Sequence, residues 1–397
     1  MLKRLKEIIF ILFISMILFV FVFAIAELIS RIYYKKSNYM NPLYQANRFS
    51  DEKLLQIYKK NGHEWIDEYL KDQSIIESNP DVNKSFKYVP FRIYQFDNNI
   101  KSKFFNTNKG NRPTFIYKDD NCKKLKKIFI YGGSTIHGDG WLRDKDLINA
   151  QLGKIMKNNN HRCYEIYNRG TSGYNSTQNF IRFFEDEVPQ DSIYIFFDGI
   201  NDFMHNYYGG IDHLWHKELI KFVEIYSGNE NTFLLFLKKI LLRSRFFQYL
   251  HENKIWNQDS ILDTTKLEIN QLSKQERIVN LCNRWANRSL AINQMVKNNQ
   301  GNAYFIWQVM IGDYKNLKPN DEILQGKTKK AFDEIFIKYK STRKLCQKSF
   351  GSNSIELINL PDDIYPEREM FIDLAHLMPY GNYIIAEQIY NVIKKDL

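Results

Sequence analysis

Apolar residues fall into short runs separated by turn residues through the C-terminal two thirds of the chain. Ile128 to Tyr131, Cys163 to Tyr167, Ser192 to Phe197, Ala303 to Val309 and Ile355 to Leu360 are brief and rich in β-formers, which predicts buried strands. Leu147 to Lys157, Thr177 to Glu187 and a stretch around Thr328 to Ser349 read as helices between them, and Tyr383 to Lys395 as a terminal helix. Strands that alternate with helices predict an α/β class with a parallel, doubly wound sheet. The first three strands end in Gly-, Ser- and Asn-rich loops, so their carboxyl ends should share one rim.

Two regions depart from this rhythm. Residues 203–300 predict a helical insertion: Asn231 to Leu250 mixes apolar and basic residues at helical spacing, and Asn280 to Asn298 reads as a second helix. The first of these suits a cap on the sheet better than a membrane-surface contact. Residues 37–125 read as a lead-in that packs on the main domain, with a strand over Tyr88 to Phe96 beside the main sheet and a turn cluster at Asn106 to Pro113.

The N-terminus has its own pattern. Lys3, Arg4 and Lys6 precede Ile8 to Ala26, in which Ser15 is the one polar residue. A helix of that length nearly crosses the roughly 30 Å hydrocarbon core of a bilayer. Ala24-Ile25-Ala26 resembles a signal-peptidase site, but the apolar run exceeds the usual ~7–15 residues of a signal peptide. Residues 1–36 are therefore expected to be an uncleaved single-pass anchor, with the body outside the cytoplasm.

Charge and cysteine content narrow the partners. A net charge of +11 suits anionic surfaces, yet no zinc-finger spacing, RNP-like motif or long basic run accompanies it, so nucleic acid is not an expected partner. Cys122, Cys163, Cys282 and Cys346 are scattered singly, and the spacing indicates neither a metal site nor a disulfide scaffold.

The chemistry concentrates at strand ends. After Ile128 to Tyr131 come Gly132, Gly133 and a single hydroxyl, Ser134, which reads as a nucleophile held at the sheet rim. A serine hydroxyl needs a base, and the base an orienting carboxylate. Asp373 and His376 lie three residues apart, so one turn can bring both side chains to one side. Gly173 can offer a backbone N–H, Asn201 a side-chain amide and Ser134 its own N–H to a tetrahedral intermediate. His137 sits in the outgoing turn near Asp139 and is the weaker candidate for base. His205, His213 and His216 crowd after the third strand, where a pocket or surface position suits them better than a metal site.

Gly132-Gly133-Ser134-Thr135, Asn168 to Ser176 with Gly173, Gly199-Ile-Asn201-Asp202 and Asp373-Leu-Ala-His376 resemble, in order, the four motif blocks of the SGNH (GDSL-type) hydrolases. The resemblance spans roughly residues 126–397. It implies a three-layer αβα sandwich with a flavodoxin-like sheet. It further implies Ser134 as nucleophile, Asp373 and His376 as its partners, and Ser134, Gly173 and Asn201 as oxyanion donors, with no cofactor. Gly133 and Thr135 replace the aspartate and leucine usual around the serine, as in membrane-anchored bacterial forms with a GGST block. The expected activity is a serine esterase acting through an acyl-enzyme on carboxylic esters, with O-acetylated envelope carbohydrate as the substrate class. Two alternatives stand beside it: an O-acyltransferase using the same triad, and a catalytically silent glycan-binding or assembly protein.

Overall fold

The computed structural model describes residues 49–78, 86–89, 92–96, 99–120, 122–208, 273–361 and 364–397, together with Phe23 and Ile25. The expected anchor over Ile8 to Ala26, Phe23 and Ile25 apart, the helix at 231–250, His213 and His216 lie outside the described residues. Among the described residues no helix is long and apolar enough to cross a membrane.

Helices α1 (Asp51–Lys60) and α2 (Ile66–Ser78) come first, followed by an antiparallel hairpin of β1 (Phe86–Val89) and β2 (Ile93–Phe96). The expected single strand over Tyr88 to Phe96 is thus a hairpin that forms its own two-stranded sheet. Val89 pairs with Ile93 to close the hairpin, and the sequence carries a proline in this stretch, which has no N–H to donate to a ladder. The main sheet takes its extra strand from β3 (Phe115–Tyr117), which pairs antiparallel with β5 (Tyr164–Gly170).

The remaining strands are β4 (Lys126–Gly132), β6 (Ile193–Asp198), β7 (Asn302–Trp307) and β8 (Leu357–Asn359), and the sheet order is β3-β5-β4-β6-β7-β8. All pairings from β5 to β8 are parallel. Leaving out the edge strand β3, this is the 2-1-3-4-5 order of flavodoxin-like sheets, whose switch point lies between the first and third strands. Here those strands are β4 and β6.

Side-chain alternation makes the two faces unlike. Phe129 stacks on Tyr167 at 4.6 Å and on Tyr194 at 5.1 Å, while Tyr131 stacks on Phe196 at 4.9 Å. Ile128, Ile130, Ile166, Ile193 and Ile195 occupy the opposite face and are fully buried. The helices are α3 (Ser134–His137), α4 (Ile148–Asn158), α5 (Ser176–Glu185), α6 (Ile200–Tyr208), α7 (Lys274–Asn298), α8 (Pro319–Ser352) and α9 (Pro379–Ile393). Phe183 of α5 sets its edge against Tyr131, Tyr194 and Phe196, and Phe350 of α8 does so against Phe305. Helices α4 and α9 pack together, while α7 packs against α5, α6 and α8. Every residue of β6 is buried, as a strand covered on both faces must be.

Two disulfides correct the reading of the cysteines. Cys122 bonds Cys163 and Cys282 bonds Cys346, with Cα–Cα distances of 5.7 and 4.5 Å that suit such bonds. The first ties the lead to β4 to the start of β5, and the second ties α7 to α8. Partners 41 and 64 residues apart carry no spacing signal.

Helix α8 begins nine residues before the expected stretch. Pro319 at its start and Asp321 and Glu322 in its first turn are favourable there, although proline suggests a break. Asp321 is wholly buried and accepts from the Met370 N–H at 2.7 Å and the Phe371 N–H at 3.2 Å. Burial pushes its carboxyl up to about 7, against the pull of those two donors. The folded state therefore keeps a proton that the unfolded chain releases near 3.8, so this group's contribution to stability falls as pH rises from 3.8 to about 7. The slope it adds is at most about 1.4 kcal/mol per pH unit. Asp321→Asn should remove that slope. Urea unfolding of both proteins between pH 4 and 7 measures the difference, and parallel curves would contradict it.

Candidate active site

Strand β4 ends at Gly132, and Gly133 leads directly into α3, whose first residue is Ser134. The turn is crowded. A Cβ on Gly132 would meet Ile136 Cγ1 at 2.5 Å, and one on Gly133 would meet Asn201 Nδ2 at 2.7 Å and the Tyr174 carbonyl oxygen at 3.0 Å. Neither position admits a side chain without displacing its neighbours, which gives a physical reason for glycine where the hydrolase motif usually carries aspartate.

His376 arrives from the loop before α9. Its Nε2 lies 2.8 Å from Ser134 Oγ, and its Nδ1 lies 2.7 Å from Asp373 Oδ2. Asp373 is buried, and its Oδ1 accepts from the Ala375 and His376 N–H groups at 2.9 and 2.8 Å. Burial works against the charge, but the imidazole and those two donors outweigh it and hold the carboxyl below its ordinary value. An ionised carboxylate only accepts, so the His376 proton belongs on Nδ1 and the Nε2 lone pair faces the serine hydroxyl. Residues 242 positions apart thus share a hydrogen bond.

The loop that carries this pair is tied down on several sides. The Ile372 N–H donates to the His376 carbonyl at 2.9 Å, and the Ile311 N–H to the Leu374 carbonyl at 2.9 Å. Thr135, next to the nucleophile candidate, donates to the Ala375 carbonyl at 3.3 Å and accepts from Gln308 Nε2 at 2.7 Å. The sequence carried no signal for Thr135 or Gln308 in this role.

The second and third motif blocks meet beside Ser134. Asn201 Nδ2 donates to the Tyr174 carbonyl at 2.8 Å with one of its two N–H groups, and the same nitrogen stands 2.7 Å from where a Cβ on Gly133 would lie. Gly173 has φ +80°, a left-handed conformation that favours glycine. Neither the Ser134 nor the Gly173 N–H donates to a protein acceptor among the described residues. Asn168 holds the blocks in place: its Nδ2 donates to the Ile136 carbonyl at 2.6 Å and its Oδ1 accepts from the Gly170 N–H at 2.9 Å. Asp202 bonds a different residue. Its carboxylate accepts from the Ser176 N–H at 3.1 Å and from the Ser176 hydroxyl, joining the starts of α5 and α6.

The other histidines have different surroundings. His137 is buried, with Nδ1 2.6 Å from Asp139 Oδ1, while Asp139 Oδ2 accepts from Ser172 Oγ at 2.5 Å. His376, not His137, is the imidazole hydrogen-bonded to the Ser134 hydroxyl. His205 is buried, contrary to a pocket or surface position, and its Nδ1 lies 3.1 Å from the Nδ2 of Asn175, the residue that caps α5. Its place on α6 turns it inward, which spacing alone does not reveal.

The site lies where the rim of the sheet divides, Ser134 following β4 and Asn201 following β6. Chemically, it offers a hydroxyl under an oriented base and N–H donors beside it.

No family model and no curated protein matches the chain. Among solved structures, it is similar to an acetyl xylan esterase at 12% identity, with 67% of this chain and 99% of that one covered and a TM-score of 0.33. A GDSL-like lipase from Parabacteroides merdae gives 13% identity, 69% and 98% coverage and a TM-score of 0.36. An acetylxylan esterase from Geobacillus stearothermophilus gives 10% identity, 68% and 94% coverage and a TM-score of 0.34.

Proposed function

We propose that this chain is a serine esterase of the SGNH (GDSL-type) hydrolase kind, cleaving carboxylic esters through an acyl-enzyme. The observation that carries the reading is the unbroken line of hydrogen bonds from Ser134 Oγ through His376 to Asp373, at 2.8 and 2.7 Å. His376 Nε2 takes the Ser134 proton as Oγ attacks the ester carbonyl, and Asp373 stabilises the imidazolium that forms. The Ser134 and Gly173 N–H groups and the second N–H of Asn201 receive the oxyanion. His376 then protonates the departing alkoxide, and water discharges the acyl-enzyme by the same steps in reverse.

An O-acetylated carbohydrate outside the cytoplasm is the substrate class we favour. Two disulfides suit an oxidising compartment, and the apolar run from Ile8 to Ala26 behind basic residues suits a tethered body. Hydrolysis of p-nitrophenyl acetate by wild type and Asn201→Ala tests the chemistry. The variant should lose about 10²–10³ in kcat with little change in KM, because its amide acts on the transition state. Absence of acid release by the wild type, or a loss confined to KM, would count against the reading. Transfer of the acetyl group to an added glycan, in place of acid release, would favour the acyltransferase.

A further inference from the structure

Thr171, Ser172, Gly173 and Tyr174 form a β-turn closed by the Tyr174 N–H on the Thr171 carbonyl at 3.1 Å. Gly173 holds the third position with φ +80°, the mark of a type II turn. Types I and II differ by rotation of the central peptide, here the one joining Ser172 to Gly173. That rotation swings its C=O and N–H to opposite sides. Whether the Gly173 N–H faces an oxyanion therefore depends on what holds the Ser172 carbonyl.

The Tyr94 hydroxyl holds it. Tyr94 lies on β2, outside the stretch that resembles the hydrolases, and its ring is buried. Its hydroxyl donates to the Ser172 carbonyl oxygen at 2.7 Å. The same hydroxyl stands where a Cβ on residue 173 would project, so ring and turn leave room for glycine alone. The Tyr94 backbone is itself fixed, because its carbonyl accepts from the Tyr174 hydroxyl, and the two rings meet edge to face at 5.3 Å. Burial raises the phenol well above its ordinary range, which keeps it a neutral donor.

We propose that Tyr94 is a positioning residue for the oxyanion hole, whose hydroxyl locks the Ser172–Gly173 peptide so that the Gly173 N–H faces the reacting carbonyl. A donor on the carbonyl also polarises the peptide and strengthens its N–H as a donor. The inference rests on the reading of Gly173 as an oxyanion donor.

Tyr94→Phe keeps the ring and removes only the donor. Its kcat on p-nitrophenyl acetate should fall by about 3- to 10-fold, the worth of one hydrogen bond, with KM within about twofold. Fluorophosphonate labelling of Ser134, which builds the same tetrahedral centre, should slow by a similar factor. Gln95→Ala is the control: it removes the hairpin's 3.0 Å bond to the Lys109 carbonyl and the 3.2 Å bond from Arg92 Nη2, keeps the Tyr94 hydroxyl, and should leave kcat unchanged. A Tyr94→Phe kcat equal to wild type, a loss confined to KM, an equal loss in Gln95→Ala, or a Tyr94→Phe protein that does not fold would each overturn the role. Full activity in Tyr94→Phe beside an inactive Ser134→Ala sinks the Tyr94 role alone, whereas activity in Ser134→Ala sinks the esterase reading and this inference with it.

Discussion

Ser134→Ala is expected to lower kcat on p-nitrophenyl acetate by at least about 10⁴-fold, the scale on which nucleophile removal acts in triad enzymes. Without the hydroxyl no acyl-enzyme forms, and the remaining rate comes from the N–H donors and from His376 acting on water. The fold should survive. The hydroxyl bonds His376 Nε2 at 2.8 Å, and β4, the crowded Gly133 turn and α3 do not depend on it. A half-exposed serine in a helix's first turn costs little to replace by alanine. Thermal unfolding checks the fold, and a fluorophosphonate probe checks the chemistry: wild type should take one label and the variant none. Retained turnover would end the case for a serine nucleophile here.

Much of this site was legible because its parts sit where strands stop. Ile128 to Tyr131 and Ser192 to Phe197 are apolar runs closed by Gly-Gly-Ser and Asp-Gly-Ile-Asn, so hydroxyl and amide could be assigned to strand ends without knowing the sheet order. Asp373 and His376 were legible as a pair because three residues separate them. The parts that sequence did not reveal are contacts between distant positions. Tyr94 reaches Ser172 across 78 residues, Thr135 reaches Ala375 across 240, and the disulfides join cysteines 41 and 64 residues apart. None leaves a local period or spacing. The lead-in proves closer to the site than its composition suggested: Tyr58 and Tyr69 donate to the Trp141 and Gly140 carbonyls at 2.9 and 3.2 Å, on the segment leaving α3. Helices such as α1 and α2 show apolar positions in sequence, but not which loop Tyr58 and Tyr69 will hold.

Asp373→Asn should lower kcat by about 10⁴-fold while leaving the backbone in place, and the reason lies in which atom of the new amide can face which donor. Asp373 Oδ1 accepts two backbone N–H groups, from Ala375 and His376, and only an oxygen can do so. In the variant the amide oxygen takes that position, and the NH₂ group turns toward His376 Nδ1. A donor there forces Nδ1 to accept, so the imidazole proton moves to Nε2. That nitrogen sits 2.8 Å from Ser134 Oγ and can no longer take its proton. The loss should therefore appear in kcat with KM nearly unchanged. It should also ease at high pH, where hydroxide can take the Ser134 proton in place of His376, and the wild-type profile should show no such rise. Stability adds a second readout. In the wild type the carboxyl is held below its ordinary value by His376 and the two N–H donors, against the cost of burial. The stability this contributes is present above the unfolded-state value of 3.8 and is lost as pH falls through the lower folded-state value. Asp373→Asn should lack that acid-side dependence, so wild type and variant should converge in stability at low pH. Urea unfolding from pH 2 to 7, beside turnover from pH 6 to 10, measures both. Unchanged kcat would remove Asp373 from the triad, and a variant whose turnover never recovers at high pH would contradict the tautomer argument.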